Sequence, residues 1–165
     1  MGIVYYDNTF NENEWFIIIV IIILNLLIFL LPRRFPFEIS AILYLVGITN
    51  GVVYDDTIGS HLFDLFDIND DSKYSFMDFM TYFMYGPFAY LLIYIQDRFQ
   101  LHGILLVTYI LIWSVFSTGF ETLATLLGVF HYKNGYNLYY SFPIYVFTIG
   151  VTYWLYTFIT QKDEV

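Results

Sequence analysis

Runs of about 20 apolar residues recur along this chain of 165 residues and constrain its fold more than any other feature. A helix needs roughly 20 such residues to cross a bilayer, and it bonds its own backbone polar groups while it does so. The hydrophobic fraction of 59% and the mean hydropathy of +0.64 are too high for a soluble domain. The pattern therefore predicts an all-α integral membrane protein whose main partner is the lipid bilayer.

The apolar runs predict a bundle of five transmembrane helices that forms a single domain over residues 1–165. No internal repeat or linker divides the chain. The first run follows a segment without Lys or Arg, so we expect a retained span and not a cleaved signal peptide, which needs a positive N-terminal region. The predicted spans cover approximately residues 15–31, 37–54, 76–95, 104–130 and 141–159.

The basic residues predict the orientation of the bundle. Arg33, Arg34, Arg98 and Lys162 fall on one predicted side of the bilayer, and only Lys73 and Lys133 fall on the other. The positive-inside rule then places the N-terminus outside and the C-terminus in the cytoplasm. The formal net charge of −9 lies on the outer side in this arrangement, and a charge of that sign argues against nucleic acid as a partner.

Residues 55–75 form the one long polar segment and are predicted to be an acidic outer loop. From Asp67 to Asp78, oxygen-bearing side chains occupy positions 1, 3, 5, 9 and 12, as in an EF-hand loop. The spacing predicts a weak Ca²⁺ or Mg²⁺ site, although position 6 is Ser72 where an EF-hand has Gly. A solvated acidic loop is the favoured interpretation, because Asp, Asn and Ser favour turns in any case. The predicted metal ligands are Asp67, Asn69, Asp71, Ser75 and Asp78.

Polar side chains also recur at helical spacing within four of the predicted spans. On the fourth span, Ser114, Ser117, Thr118 and Glu121 share one face of the helix. Small and hydroxylated residues allow transmembrane helices to pack closely, but a carboxyl group at membrane depth is costly unless it faces a partner or a water-filled cavity. The predicted cavity residues are Asn50, Asp55, Asp78, Tyr82 and Glu121.

Two functions fit these patterns. The first is a small membrane protein that binds or passes a cation or a small polar solute through an acidic, outward-facing cavity. The second is a structural or sensory subunit, in a homo-oligomer or beside another membrane protein, whose acidic outer loop recognises a protein or a divalent ion. A metal-dependent enzyme that uses His61 and His131 is a third reading, but the chain carries no catalytic motif of known spacing. We therefore expect no enzyme.

Aromatic and acidic strings recur from the second span onward. They are Phe63–Asp67, Asp78, Tyr85–Phe99 (YGPFAYLLIYIQDRF), Trp113, Phe120-Glu121, His131-Tyr132 and Ser141. Together they resemble a family of small multi-pass membrane proteins of unknown function from bacilli and clostridia. The resemblance implies a location in a bacterial plasma membrane. It implies no activity, substrate or catalytic residue.

Overall fold

Five long α-helices make up most of the described chain. The computed structural model describes residues 9–70 and 75–160, apart from the side chains of residues 60 and 61. The helices are α1 (Glu12–Leu30), α2 (Phe37–Tyr54), α3 (Phe76–Arg98), α4 (Gly103–Leu126) and α5 (Leu138–Thr160). A π-helix at Asp55–His61 continues α2, and two short strands, β1 (Phe66–Ile68) and β2 (Phe130–Tyr132), pair antiparallel.

These bounds confirm that the five predicted segments are helical and correct two details. The fourth segment was expected to reach residue 130, but α4 ends at Leu126 because Gly128 adopts a positive φ of 79° and the chain then enters β2. The segment at 55–75 is not simply a loop, since it begins as a helix and contains β1. In β1, Asp67 pairs in register with His131 of β2.

Four of the helices are long and apolar enough to cross a membrane. They are Glu12–Leu30, Phe37–Gly59, Gly103–Leu126 and Leu138–Thr160. Their apolar side chains remain mostly exposed on the protein, and only 6% of the most apolar window of Gly103–Leu126 is buried. Such a surface is unfavourable in water and suited to lipid. The fold is therefore that expected of a multi-pass membrane protein.

Helix α3 lies at the centre of the bundle and packs against each of the other four helices. Thirteen of its 23 residues are buried, against three in each of the other helices. A helix surrounded by protein meets little lipid, so it can carry polar side chains that hydrogen-bond to its neighbours. Asp78 and Thr81 are buried on α3 and accept hydrogen bonds from Asn69, and the buried Gln96 donates to the Leu101 carbonyl oxygen. Their presence explains why α3 is less apolar than the helices around it.

Helices α2 and α3 approach each other closely at two glycines. A Cβ atom on Gly47 would overlap the Tyr85 carbonyl oxygen and would lie 2.9 Å from the Cα atom of Gly86. A Cβ atom on Gly86 would in turn lie 2.9 Å from the ring of Tyr44. Small residues at such a crossing allow two backbones to touch, which is how transmembrane helices gain packing energy without a hydrophobic driving force.

A charged cluster joins three elements at the end of α3. The Arg34 guanidinium pairs with the Asp97 carboxylate, and its Nη2 atom donates to the Asp97 carbonyl oxygen at 2.8 Å. The Tyr156 hydroxyl of α5 donates to the second carboxylate oxygen of Asp97 at 3.0 Å. The α1–α2 connection, the end of α3 and the end of α5 therefore meet at one end of the bundle.

The Gly47→Ala substitution is expected to lower the free energy of unfolding by about 1–3 kcal/mol, because the new methyl group collides with the backbone of α3 and not with a movable side chain. Unfolding in mixed micelles of a mild detergent and dodecyl sulfate would measure the change. Gly119→Ala and Gly150→Ala are matched controls, since a Cβ atom at either position meets nothing within 4 Å. Equal stability of all three variants would contradict the close approach at Gly47.

Candidate functional site

A cavity of about 160 Å³ lies inside the bundle. Side chains of α2, α3, α4 and α5 line it, and the strands add Phe66, Ile68 and Phe130. Two carboxyl groups, those of Asp55 and Glu121, belong to its wall. Among the described side chains, which exclude that of His61, no Lys, Arg or His lines it. The described wall therefore carries two acids and no basic side chain.

The Glu121 carboxyl group is buried, with 6% of the residue exposed. Its Oε1 atom accepts hydrogen bonds from the Tyr132 hydroxyl at 2.5 Å and from the Ser141 hydroxyl at 2.7 Å. The single hydroxyl hydrogen of Ser141 is used in the bond to Glu121. The Tyr136 hydroxyl, 2.9 Å from the Ser141 hydroxyl, is therefore the donor in the bond between them. The Oε2 atom is buried and has no hydrogen-bond partner in the described part of the chain. A buried polar atom of this kind is costly, so Oε2 marks a place where a ligand can supply the missing partner.

The hydroxyl groups of Tyr132 and Tyr136 stay protonated across the ordinary pH range. Burial raises the pKa of Tyr132 well above its usual value of 10, and the hydrogen bond to the Glu121 carboxylate raises it further. Burial also raises the pKa of Tyr136, against a smaller opposite effect of Ser141. Both residues lie between α4 and α5, outside the helices. Each therefore remains a hydrogen-bond donor, directly or through Ser141, toward Glu121.

Asp55 forms the second acidic part of the wall. It lies at the first position of the π-helix and is buried, and the Tyr82 hydroxyl donates to its Oδ2 atom. The widened turn follows α2 directly, and such π-helical turns often occur at functional sites because they redirect side chains from the regular helical face. Tyr85, Asp55 and Glu121 all line the cavity. The two acids therefore belong to the wall of one shared space.

Helices α2 and α5 are joined by hydrogen bonds along the cavity wall. The Asn50 side chain donates to the Thr152 hydroxyl at 3.4 Å, and the hydroxyl groups of Tyr54 and Thr148 lie 2.5 Å apart. All four residues line the cavity. These bonds hold the two helices in fixed relation around it.

The structure brings three of the five predicted cavity residues into the wall, namely Asn50, Asp55 and Glu121. Asp78 and Tyr82 do not line the cavity. Asp78 closes a capping box at the start of α3, where its Oδ2 atom accepts from the Ser75 backbone N–H at 2.6 Å. Tyr82 acts on the cavity indirectly, through its hydrogen bond to Asp55.

Four of the five predicted metal ligands are described, namely Asp67, Asn69, Ser75 and Asp78, and each has a protein partner. Asp67 is buried and pairs with Lys133. The Asn69 side chain donates to Asp78 at 2.7 Å, so its amide group faces that carboxylate. Asp71 lies outside the described residues, as does the side chain of residue 61. Among the residues that are described, no three His, Asp or Glu side chains are grouped to hold a metal ion. The Ca²⁺ or Mg²⁺ site stays a prediction.

An aromatic cluster forms part of the cavity wall and was not among the predicted site residues. Trp113, Phe116 and Phe120 of α4 contact one another in sequence, with ring centroids 5.7 and 6.4 Å apart. Phe88 of α3 packs edge-on against Phe120 at 4.9 Å. The signal was present in the spacing of three and four residues along α4, which places the three rings on one helical face beside Glu121.

Comparison of the chain with protein-family models, curated proteins and solved structures gave no match. The resemblance to a bacterial membrane family therefore remains an expectation. The fold and the cavity define a class only, that of a helical bundle with four helices able to cross a membrane.

Replacing Lys133 by Met is expected to lower the free energy of unfolding by about 3–5 kcal/mol, because the buried carboxylate of Asp67 loses its cation. Unfolding in mixed micelles would measure the loss. Asp64 provides the matched control, because its carboxylate lies 3.1 Å from the same Lys133 Nζ atom but is 55% exposed. Asp64→Asn should cost less than about 1 kcal/mol. Similar losses for the two variants would contradict the assignment of Lys133 to Asp67.

Proposed function

We propose that this protein is a multi-pass protein of a bacterial plasma membrane that binds, or passes, a small cation or polar solute in its internal cavity. One observation carries the proposal. The carboxyl group of Glu121 is buried in the cavity wall with one oxygen lacking a hydrogen-bond partner in the described chain, and no basic side chain there offsets it.

Electrostatics supports a cation as the ligand. A positive charge about 4 Å from a carboxylate gains roughly 4 kcal/mol at an effective dielectric constant of about 20. Asp55 lines the same cavity and places a second carboxyl group in its wall. Ionisable groups at membrane depth commonly mark ion or substrate sites, since their desolvation must be offset by a partner. The neutral hydroxyl and amide groups of Asn50, Ser141 and Thr148 would complete the polar contacts of the ligand.

We also propose that α3 crosses the membrane in addition to the four other helices, and that the N-terminus lies outside. The 23 residues of α3 extend about 34 Å at roughly 1.5 Å per residue, which exceeds a hydrocarbon core about 30 Å thick. Arg34 lies at the end of the bundle where it pairs with Asp97, and the positive-inside rule assigns that end to the cytoplasm. Lys133, Asp64 and the two strands would then face outward.

Single cysteines would test this orientation, since the native chain has none. A membrane-impermeant maleimide applied to intact cells is expected to label Asn134→Cys, in the turn after β2. Gln100→Cys, between α3 and α4, should react only after permeabilisation. The reverse labelling pattern would overturn the orientation, and labelling of both sites from outside would overturn the crossing by α4.

Binding and flux measurements on Glu121→Gln test the function directly. The glutamine keeps an Oε1 acceptor for Tyr132 and Ser141, so we expect the fold to persist while affinity for cations falls at least about tenfold, the equivalent of 1.4 kcal/mol. Calorimetry on purified protein and flux in proteoliposomes would measure the loss. Glu38→Gln removes the same charge at an exposed position and should leave cation affinity and flux unchanged.

Two results would reject the proposal. One is wild-type protein that binds no inorganic or organic cation and passes none. The other is cation binding that Glu121→Gln leaves intact. Co-purification of another membrane protein, unaffected by Glu121→Gln and lost on substitutions in the acidic segment, would instead favour the role of a partner subunit.

A further inference from the structure

The residues of the cavity wall indicate the class of cation that the cavity suits. Ten of the 25 residues that line the cavity are aromatic, among them Tyr85, Phe88, Trp113 and Tyr145. They share the wall with Glu121. Aromatic faces attract cations through the negative face of the ring, most strongly for Trp and most effectively where water is excluded. The Glu121 carboxyl group thus lines a cavity in which aromatic side chains form a large part of the wall.

A bare metal ion fits this wall poorly. Calcium takes six to eight oxygen ligands, and magnesium requires a near-ideal octahedron of oxygens. In the described part of the chain, no three acidic or histidine side chains come together as metal ligands. A metal ion in this cavity would therefore face ring carbons on much of its surface.

The cavity volume limits the size of the ligand. A cavity of about 150 Å³ lined by apolar side chains accommodates a molecule the size of benzene. The present cavity, at about 160 Å³, is of that size. It therefore suits a ligand of roughly six or seven non-hydrogen atoms. Long-chain amines and bulky tetraalkylammonium ions exceed it.

We infer that the ligand is a small organic ammonium ion, with its charged nitrogen beside Glu121 and its alkyl groups against the rings of Phe88, Trp113 and Phe120. This inference rests on the proposed function and narrows it to one class of cation. Three independent features agree on it. They are the buried Oε2 atom without a protein partner in the described chain, the aromatic wall, and the volume.

Calorimetry with four probes would test the inference on full-length protein in lipid nanodiscs. Choline carries a trimethylammonium group, and neohexanol is its uncharged isostere, in which carbon replaces nitrogen. Potassium ion tests charge without alkyl groups, and tetrabutylammonium tests size. We expect choline to bind at least about tenfold more tightly than each of the other three.

Variants of Trp113 separate the aromatic contribution from the charge. Trp113→Leu should weaken choline binding about tenfold or more. The choline affinity of Trp113→Phe should lie between those of Trp113→Leu and the wild type, because Trp interacts with cations more strongly than Phe does. Trp113→Phe retains a ring for packing, so it keeps the test valid if Trp113→Leu folds poorly. Trp154→Leu is the matched control, since Trp154 is exposed on α5 and lies outside the cavity wall.

The outcomes distinguish this inference from the proposed function. Equal affinity for choline and neohexanol, tighter binding of potassium than of choline, or insensitivity to Trp113→Leu would overturn the ammonium inference. Potassium binding that depends on Glu121 would then leave the proposed cation site standing. Absence of binding by every probe would overturn both.

Discussion

At Gly47 the backbone of α2 lies against the backbone of α3 with no room for a side chain. One turn further along α2, Gly51 leaves space for the ring of Tyr85, whose Cδ2 atom would lie 2.5 Å from an added Cβ. Both glycines and Tyr85 line the cavity. The close approach therefore does more than join two helices. It sets the position of one cavity wall and holds α3 at the centre, where the remaining helices can pack around it.

Three carboxylates of this bundle accept a hydrogen bond from a tyrosine. Tyr132 donates to Glu121, Tyr82 donates to Asp55, and Tyr156 donates to Asp97. A tyrosine suits this role because its ring packs among apolar side chains while its hydroxyl reaches a polar partner. The 17 tyrosines of the chain exceed what membrane interfaces require, and these pairs account for part of the surplus.

Much of the fold could be read from the chain before the structure. The five helical segments followed from apolar runs, since the length of a span is set by the bilayer and needs no knowledge of packing. The polar faces of α2, α4 and α5 likewise followed from helical spacing, and Asn50 and Glu121 on two of these faces line the cavity. The strand pair was missed. Each strand has only three residues, and its partner lies about 60 residues away in the chain. No local sequence pattern therefore indicates the pairing.

The sequence by itself determined that the chain is helical, that its helices are suited to lipid, and that acids concentrate near the segments that flank the strands. Only the tertiary structure decided which acids share a space. Asp78, equal to Asp55 by sequence pattern, caps α3, while Asp55 lines the cavity beside Glu121. It also decided that Asp67 pairs with Lys133 and that four aromatic residues of α3 and α4 line the cavity. The reason is physical. Periodicity and hydrophobicity act within one segment, whereas the partner of a buried charge is set by contacts between segments far apart in the chain.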